Sequence, residues 1–337
     1  MKIGVMSFAH LHAVSYVRAL QALDGVEVVA TDPEHATRPA GEVGGPELAA
    51  ELGVTYLEDY ATLLASGVDG VVVCSENARH RPLVEQAAAA GVHVLCEKPL
   101  ATTLADGEAM VEACARAGVH LMVAYPVRFS TAFAALREAV ASGSLGRVCS
   151  VTGTNNGRLP TGSRAWFTDP ELAGGGAMVD HTVHVADLLD ALLDGVPPRS
   201  VYAQSNSLIH PEQAPTETAG LVCVEYPGPV VATIDCSWSK PDSYPTWGGL
   251  TLELVATAGV AHMDAFAQRV DGWSETRRTA VWQPYGSDAD APLVAEFVDA
   301  IRTGRTPQPD GAAGLRSLQV VAAAQESART GDVVQLS

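Results

Sequence analysis

With 337 residues the chain is too long for one ordinary core and suits two domains. Its 47% hydrophobic share is enough to build sizeable cores and argues against long disorder. A net charge of -18 repels phosphate backbones and excludes nucleic acid as a natural partner. The six cysteines include no C-x-x-C pair and sit mostly in apolar runs, so neither a disulfide framework nor a zinc site is expected. The N-terminus reads MKIGVMSF, with no cleavage signature and no apolar run of about 18 residues anywhere in the chain. These features lead us to expect a cytoplasmic, non-membrane protein.

In chain order, short β-rich runs come first: Lys2–Met6, Val26–Ala30, Val68–Cys74, Val92–Cys96 and Val119–Ala124. Between them lie Ala/Leu/Glu-rich stretches of helical spacing, such as Pro82–Ala90 and Leu104–Ala117. Strands alternating with helices imply a parallel sheet with helices on both faces, an α/β architecture. Gly25, Gly53, Gly91 and Gly118 follow helical stretches, as C-terminal caps do. Near Tyr125 the pattern changes. A helix is expected over Thr131–Ala141, then strands at Val148–Thr154, Ser200–Ser207, Leu221–Tyr226, Val230–Ser237, Leu250–Thr257 and Val260–Ala265. One apolar helix, from about Ala177 to Leu193, interrupts them, and helices over Pro292–Ile301 and Gly314–Thr330 close the chain. The strand spacing suggests a mostly antiparallel second sheet. Residues 1–124 and 125–337 are the expected domains. The stretch Asn155–Gly176 is expected to be a long irregular loop, of a kind that often carries function.

The first strand leads into Ser7-Phe8-Ala9-His10-Leu11-His12. A dinucleotide-binding domain has G-x-G-x-x-G here, whose glycines let the backbone approach a pyrophosphate at a helix N-terminus. In this chain serine and alanine replace the first two glycines and the loop is shortened. On its own the loop is as consistent with a plain turn. Asp32 closes the second strand, where an acid accepts hydrogen bonds from a ribose diol and repels a 2′-phosphate. That placement favours NAD and leaves NADP open. A solvated loop aspartate is the plainer alternative.

Only Lys2, Lys98 and Lys240 are lysines. Lys98 follows a strand directly, in Glu97-Lys98-Pro99-Leu100, where ligands of parallel sheets bind. There it can donate a hydrogen bond to a reacting oxygen, although a surface Glu-Lys pair would read the same way. Downstream, Gly174-Gly175-Gly176 precedes the apolar helix, on which Asp180 and His184 stand at i and i+4 and share a face. An imidazole there can accept a hydroxyl proton near neutral pH, and the carboxylate can hold a neighbouring hydroxyl. Asp180, His181, His184 and Asp187 have the chemistry to ligate a metal, but no ligand signature recurs elsewhere, and no metal is expected.

Taken together, these stretches resemble the Gfo/Idh/MocA family, the group of glucose-fructose oxidoreductase and inositol dehydrogenase. Ser75-Glu76-Asn77-Ala78-Arg79-His80 resembles its T-P-N-x-x-H loop, with glutamate for proline. Glu97-Lys98-Pro99 matches its most specific motif, Tyr125-Pro126-Val127-Arg128-Phe129 resembles its N-x-R-F stretch, and residues 174–189 match G-G-G-x-x-x-D-x-x-x-H-x-x-D-L. The resemblance covers nearly the whole chain. It implies a Rossmann domain followed by an α/β domain with an open, mostly antiparallel sheet, whose open face mediates homodimers or homotetramers. It gives the catalytic roles to Lys98, Asp180 and His184. Ser7, Phe8, Ala9, His10, Asp32, Ser75, Asn77, His80, Glu97 and Lys98 would line the cofactor pocket. The expected substrate-binding residues are Tyr125, Arg128, Asn155, Arg164, Trp166, His181 and Tyr244. The implied activity is NAD(H)-dependent oxidation or reduction at a secondary alcohol of a sugar, cyclitol or related polyol. Two alternatives stay open: transient oxidation that drives elimination or hydrolysis of a glycoside without net redox, and a non-catalytic NAD- or sugar-binding regulator. The short glycine loop is the clearest departure from the family pattern, and His10 and His12 are candidates to compensate for it.

Overall fold

The computed structural model describes residues 1–162, 164–286 and 288–336. The chain runs β1 (Lys2–Met6), α1 (His12–Gln21), β2 (Glu27–Thr31), α2 (Gly45–Glu51), β3 (Thr55–Tyr56), α3 (Tyr60–Ala65), β4 (Gly70–Val73), α4 (His80–Ala89), β5 (His93–Glu97), α5 (Leu104–Ala117) and β6 (Leu121–Ala124). Next come α6 (Thr131–Ala141), β7 (Val148–Arg158), α7 (Pro170–Ala173), α8 (Ala177–Leu192), β8 (Ser200–Asn206), β9 (Ala219–Glu225), β10 (Val231–Lys240), β11 (Gly248–Ala256) and β12 (Gly259–Asp264). The chain closes with β13 (Arg269–Ser274), β14 (Thr279–Pro284), α9 (Asp290–Thr303), α10 (Gly311–Thr330) and β15 (Val334–Gln335). Among the described residues, no helix is long and apolar enough to cross a membrane.

Two compact units result. The first comprises Met1–Tyr125, Pro160–Gly174 and Asp290–Leu318; the second comprises Pro126–Leu159, Gly175–Ala289 and Gln319–Ser337. A single cut between residues 124 and 125 would give 160–174 and 290–318 to the second domain, whereas packing groups them with the first.

In the first unit six parallel strands run in the order β3-β2-β1-β4-β5-β6, the Rossmann arrangement. All four residues of β4 and of β6 are buried, as continuous apolar runs in a doubly covered sheet require. The helices bury one stripe each: α1 turns Ala13, Tyr16, Val17 and Leu20 inward. Thr103 caps α5 by accepting from the Asp106 N–H, and Gly118 ends it at φ 67°, where a side chain is disfavoured. The strand order reverses between β1 and β4, so the crevice for a ligand opens at the carboxyl ends of these strands.

The second unit holds a seven-stranded sheet in the order β12-β11-β7-β10-β9-β8-β15. Every pairing in it is antiparallel except β10 with β7. One face carries α8, with Val185, Leu188 and Leu189 in a core shared with Val222, Ile234 and Leu252. The other face bears the alternate residues, such as Leu221, Val231 and Val255.

Two expectations about the second half need correction. Asn155–Arg158 are not loop: β7 continues to Arg158 because β11 pairs with it as far as Gly157. The remainder of the expected irregular stretch contains α7 and two short 3-10 turns, with Ser163 outside the described residues. The hairpin β13–β14 was not anticipated, because its residues, none of them buried, lack a one-sided apolar alternation.

Candidate active site

The carboxyl end of β1 shows how the chain manages without the first glycine. Ser7 adopts φ 74°, a left-handed conformation unusual for a residue with a side chain. Its hydroxyl is engaged on three sides: Ser7 Oγ donates to Asp32 Oδ1 (3.1 Å) and accepts from the Ala9 N–H (3.1 Å) and from Arg38 Nη2 (2.8 Å). The loop is also held through its carbonyls. Arg164 donates to Ala9 O (2.9 Å), Phe8 O (3.2 Å) and Val43 O (2.8 Å), and the Trp166 indole donates to Ala9 O (3.0 Å). Both side chains are buried within the first unit. These donors brace the shortened loop. Trp166 stacks on Phe167 with ring centroids 4.1 Å apart, and Phe167 packs on His10 at 5.4 Å.

Asp32, at the end of β2, is buried and surrounded by donors. Oδ1 accepts from Ser7 Oγ and Arg38 Nη2 (2.8 Å), and Oδ2 accepts from Arg38 Nη1 (2.9 Å) and the Gly45 N–H (2.9 Å). Burial opposes its charge, but the Arg38 guanidinium outweighs it and holds the carboxyl below its ordinary range. Arg38 Nε also donates to Glu76 Oε1 (3.3 Å), and Arg79 pairs with both Glu76 (3.4 Å) and Glu34 (3.1 Å). Arg38, Glu76 and the Gly44–Gly45 pair are the members of this site that sequence reasoning missed. Glycine is needed there, since a Cβ on Gly44 would lie 2.7 Å from Asp32 Oδ2. Arg38 carried no signal, because it belongs to a loop with no periodicity.

At the ends of β4 and β5 stand Ser75, Asn77, His80, Glu97 and Lys98, all buried. Glu97 Oε1 takes the His12 imidazole at 2.9 Å and has His10 at 3.6 Å, while Oε2 accepts the Lys98 N–H at 3.0 Å. Burial works against this carboxylate, yet His10, His12 and Lys98 hold its pKa well below the usual range. Glu97 in turn raises His12 above 6.5 against the opposing effect of burial. His80 Nδ1–H donates to Pro99 O (3.0 Å) and Leu100 O (3.2 Å), which fixes the turn after Lys98. His80 thus positions Lys98. Asn77 Nδ2 donates to Ala173 O (2.9 Å), whereas its buried Oδ1 has no donor among the described residues. A buried acceptor of this kind, at a strand end beside a helix N-terminus, suits a dinucleotide rich in donors. His10, His12 and Glu97 are the one group of potential metal ligands with donor atoms within 4.8 Å of one another among the described residues. Those atoms are already engaged, since His10 Nδ1 accepts the His12 N–H (3.2 Å) and His12 Nδ1 faces both Glu97 and Tyr16 (3.2 Å).

In the second unit, α8 carries Asp180, His181 and His184. Asp180 Oδ2 accepts from the Trp238 indole (3.2 Å) and lies 3.2 Å from His181 Nε2, so the carboxylate is fixed before any ligand arrives. Asn155, fully buried in β7, donates to His181 O (3.2 Å), and its Oδ1 has no donor among the described residues. The His181 ring meets Trp247 edge-on at 6.0 Å. His184 is buried one turn further along the helix. Arg128 pairs with Asp187 (2.7 Å) and Asp190 (3.4 Å) in a buried cluster. Burial pushes the Asp187 carboxyl up to about 6, with Arg128 acting against that shift. Engagement of Asp187 by Arg128 also removes it from the ligand set weighed on this helix. Tyr244 lies beyond β10, edge-on to Trp282 at 5.1 Å and under Lys240 Nζ at 4.8 Å. Tyr125 is buried just past β6, in the first unit.

Residues 3–125 match the family model described as "Oxidoreductase family, NAD-binding Rossmann fold", and residues 133–262 match "GFO/IDH/MocA C-terminal domain". The chain is 30% identical to D-xylose 1-dehydrogenase (NADP(+)) 2 of Haloferax volcanii, with 100% of both chains covered. It is also 30% identical to D-apiose dehydrogenase of Paraburkholderia graminis, over 99% of this chain and 88% of the relative. Its fold is similar to that of GenD2 from gentamicin A biosynthesis, crystallised with NAD: the TM-score is 0.89 at 24% identity, over 100% of this chain and 96% of that one.

Proposed function

The chain belongs to the Gfo/Idh/MocA family of NAD-dependent sugar and polyol oxidoreductases, and on that premise we propose that it reversibly oxidises one secondary alcohol of a sugar, cyclitol or related polyol. The observation that carries this reading is Lys98, a buried lysine at the carboxyl end of β5, with its turn fixed by His80 and its backbone N–H bonded to Glu97.

NAD, when bound, accepts or returns the hydride. The protein supplies position and proton handling. In this proposal the Lys98 ammonium polarises the oxygen on the reacting carbon. His184 takes the proton from that hydroxyl during oxidation and gives it back in the reverse direction. Asp180, oriented by Trp238 and His181, accepts from a neighbouring hydroxyl. Asn155 Oδ1 suits a second hydroxyl, with His181, Tyr125 and Tyr244 completing the substrate set. Ser7, Phe8, Ala9, His10, Asp32, Ser75, Asn77 and Glu97 form the cofactor set, in which Asn77 offers an acceptor that has no donor among the described residues. We place homo-oligomer formation on the open face of the second sheet.

The test is Lys98→Met. Replacing an ammonium that acts on the reacting oxygen should lower kcat by about 10²–10⁴-fold while NADH binding, read by protein fluorescence, survives. Near-normal turnover would overturn the mechanism. The stoichiometry of NADH to substrate, expected near one to one, separates this reaction from elimination without net redox.

A further inference from the structure

We propose that Arg38 sets the choice between NAD(H) and NADP(H), and that through it this enzyme accepts both. The proposal rests on the cofactor half of the oxidoreductase reading and concerns how Asp32 is shared. A carboxylate offers about four lone-pair sites. On Asp32 all four are met by protein donors: Ser7 Oγ and Arg38 Nη2 on Oδ1, Arg38 Nη1 and the Gly45 N–H on Oδ2. A ribose diol needs the same oxygens. It can reach them only by displacing the two Arg38 bonds, since Gly45 donates from the backbone and Ser7 Oγ is held in place by the Ala9 N–H.

The two cofactors differ in what they offer the displaced guanidinium. NAD brings two neutral hydroxyls, which take Asp32 and leave Arg38, a buried cation, with Glu76 as its one remaining carboxylate. NADP brings a 2′-phosphate, an anion that a planar guanidinium can grip with two parallel bonds. The surrounding charges fit this exchange. Arg79 already pairs with Glu34 and Glu76, so those carboxylates keep a cation when Arg38 turns away, and Arg79 adds a second positive charge to the same cluster. Asp32, Glu34 and Glu76 outnumber Arg38 and Arg79, which limits the preference for phosphate and keeps NAD in use. Asp32 at this strand end would by itself select NAD; paired with Arg38, it no longer does.

The experiment uses cofactor fragments that carry no nicotinamide, so its readout is independent of catalysis. Binding of 2′,5′-ADP and of 5′-AMP to the full-length protein is measured by calorimetry for the wild type, Arg38→Gln and Arg38→Lys, with thermal melts as the folding check. In the wild type both should bind, with 2′,5′-ADP within tenfold of 5′-AMP. Arg38→Gln should weaken 2′,5′-ADP at least tenfold while 5′-AMP holds or tightens. Arg38→Lys, which keeps the charge but loses the fork, should fall between them and keeps the test open if the glutamine variant unfolds. In turnover, Arg38→Gln should lower the NADP/NAD ratio of kcat/KM by the same factor. Equal changes for both fragments, or a ratio that ignores position 38, would overturn the proposal and leave the oxidoreductase reading intact. Failure of the wild type to bind either fragment would overturn the cofactor reading as well.

Discussion

A carboxylate with no exposed surface keeps its charge only when cations and donors replace water around it. Glu97 meets that condition through His12 at 2.9 Å, His10 at 3.6 Å and the Lys98 N–H, and it ties the α1 loop to the turn that presents Lys98. The pairing has a pH signature. Glu97 outweighs burial and raises His12 above 6.5, so the stabilisation from this pair is complete below about 6.5 and is lost as pH rises through the folded value. His12→Gln should therefore lower Tm most at about pH 5.5–6.5, and the gap to wild type should shrink toward pH 9. Melting curves across that range check it, and a gap independent of pH would show that the imidazole acts by shape alone. At this scale the sequence made Glu97 and Lys98 legible, because a charged pair closing a buried strand stands out. The Arg38–Asp32 pair was illegible, because a loop without period decides where residue 38 comes to rest. The contacts of Arg164 and Trp166 were illegible for a related reason: a linear reading does not show that the Phe8, Ala9 and Val43 carbonyls come within their reach.

The start of α8 shows how an element can be specified by the absence of side chains. Gly175 has φ 156°, and a Cβ on Gly176 would lie 2.0 Å from Glu217 O. That closeness serves the helix N-terminus. The Gly176 N–H donates to Glu217 Oε1 (2.8 Å) and the Ala177 N–H to Glu217 O (2.9 Å), which satisfies two donors with no partner inside the helix. Gly176→Ala must push the 217 backbone away, at a cost of about 1–3 kcal/mol. We expect Tm to drop by about 2–10 °C. We also expect turnover to fall, because α8 carries Asp180 and His184. Gly249→Ala, where a Cβ meets nothing within 4 Å, is the matched control and should leave Tm within about 1–2 °C of wild type. Equal effects of the two substitutions would refute the steric account. Elements with strong periodicity were legible to the residue, as α5 and α6 were. The solvent-facing hairpin β13–β14 was not, since register pairing rather than a buried face defines it.

The open face of the second sheet raises the question of assembly at the scale of the molecule. Register places Tyr202, Leu221, Val231, Val255 and Val260 on the side of the sheet opposite α8, interleaved with Thr152, Thr233 and Thr251. Leu221 is 57% and Val260 71% exposed, more than scattered surface apolar residues need. The strands of this face carry Glu225, Asp235, Glu253 and Asp264 among the apolar positions, a mixture suited to a face-to-face contact with a polar rim. The resemblance to the family implies a second copy as the occupant, and a two-fold contact would set Leu221 and Val231 against the same patch of the partner. Leu221→Lys combined with Val231→Lys puts two cations into that contact without touching the core, because both side chains point away from α8. The double variant should elute as a monomer in light scattering at concentrations where the wild type is a dimer or tetramer. Its monomeric form should keep the far-ultraviolet circular dichroism of the wild type. A wild type that is monomeric at micromolar concentration, or a double variant that stays assembled, would remove this face from the assembly. A monomer that also lost NADH binding would show that the first unit depends on the contact, a dependence for which neither its own parallel sheet nor its own core gives a reason.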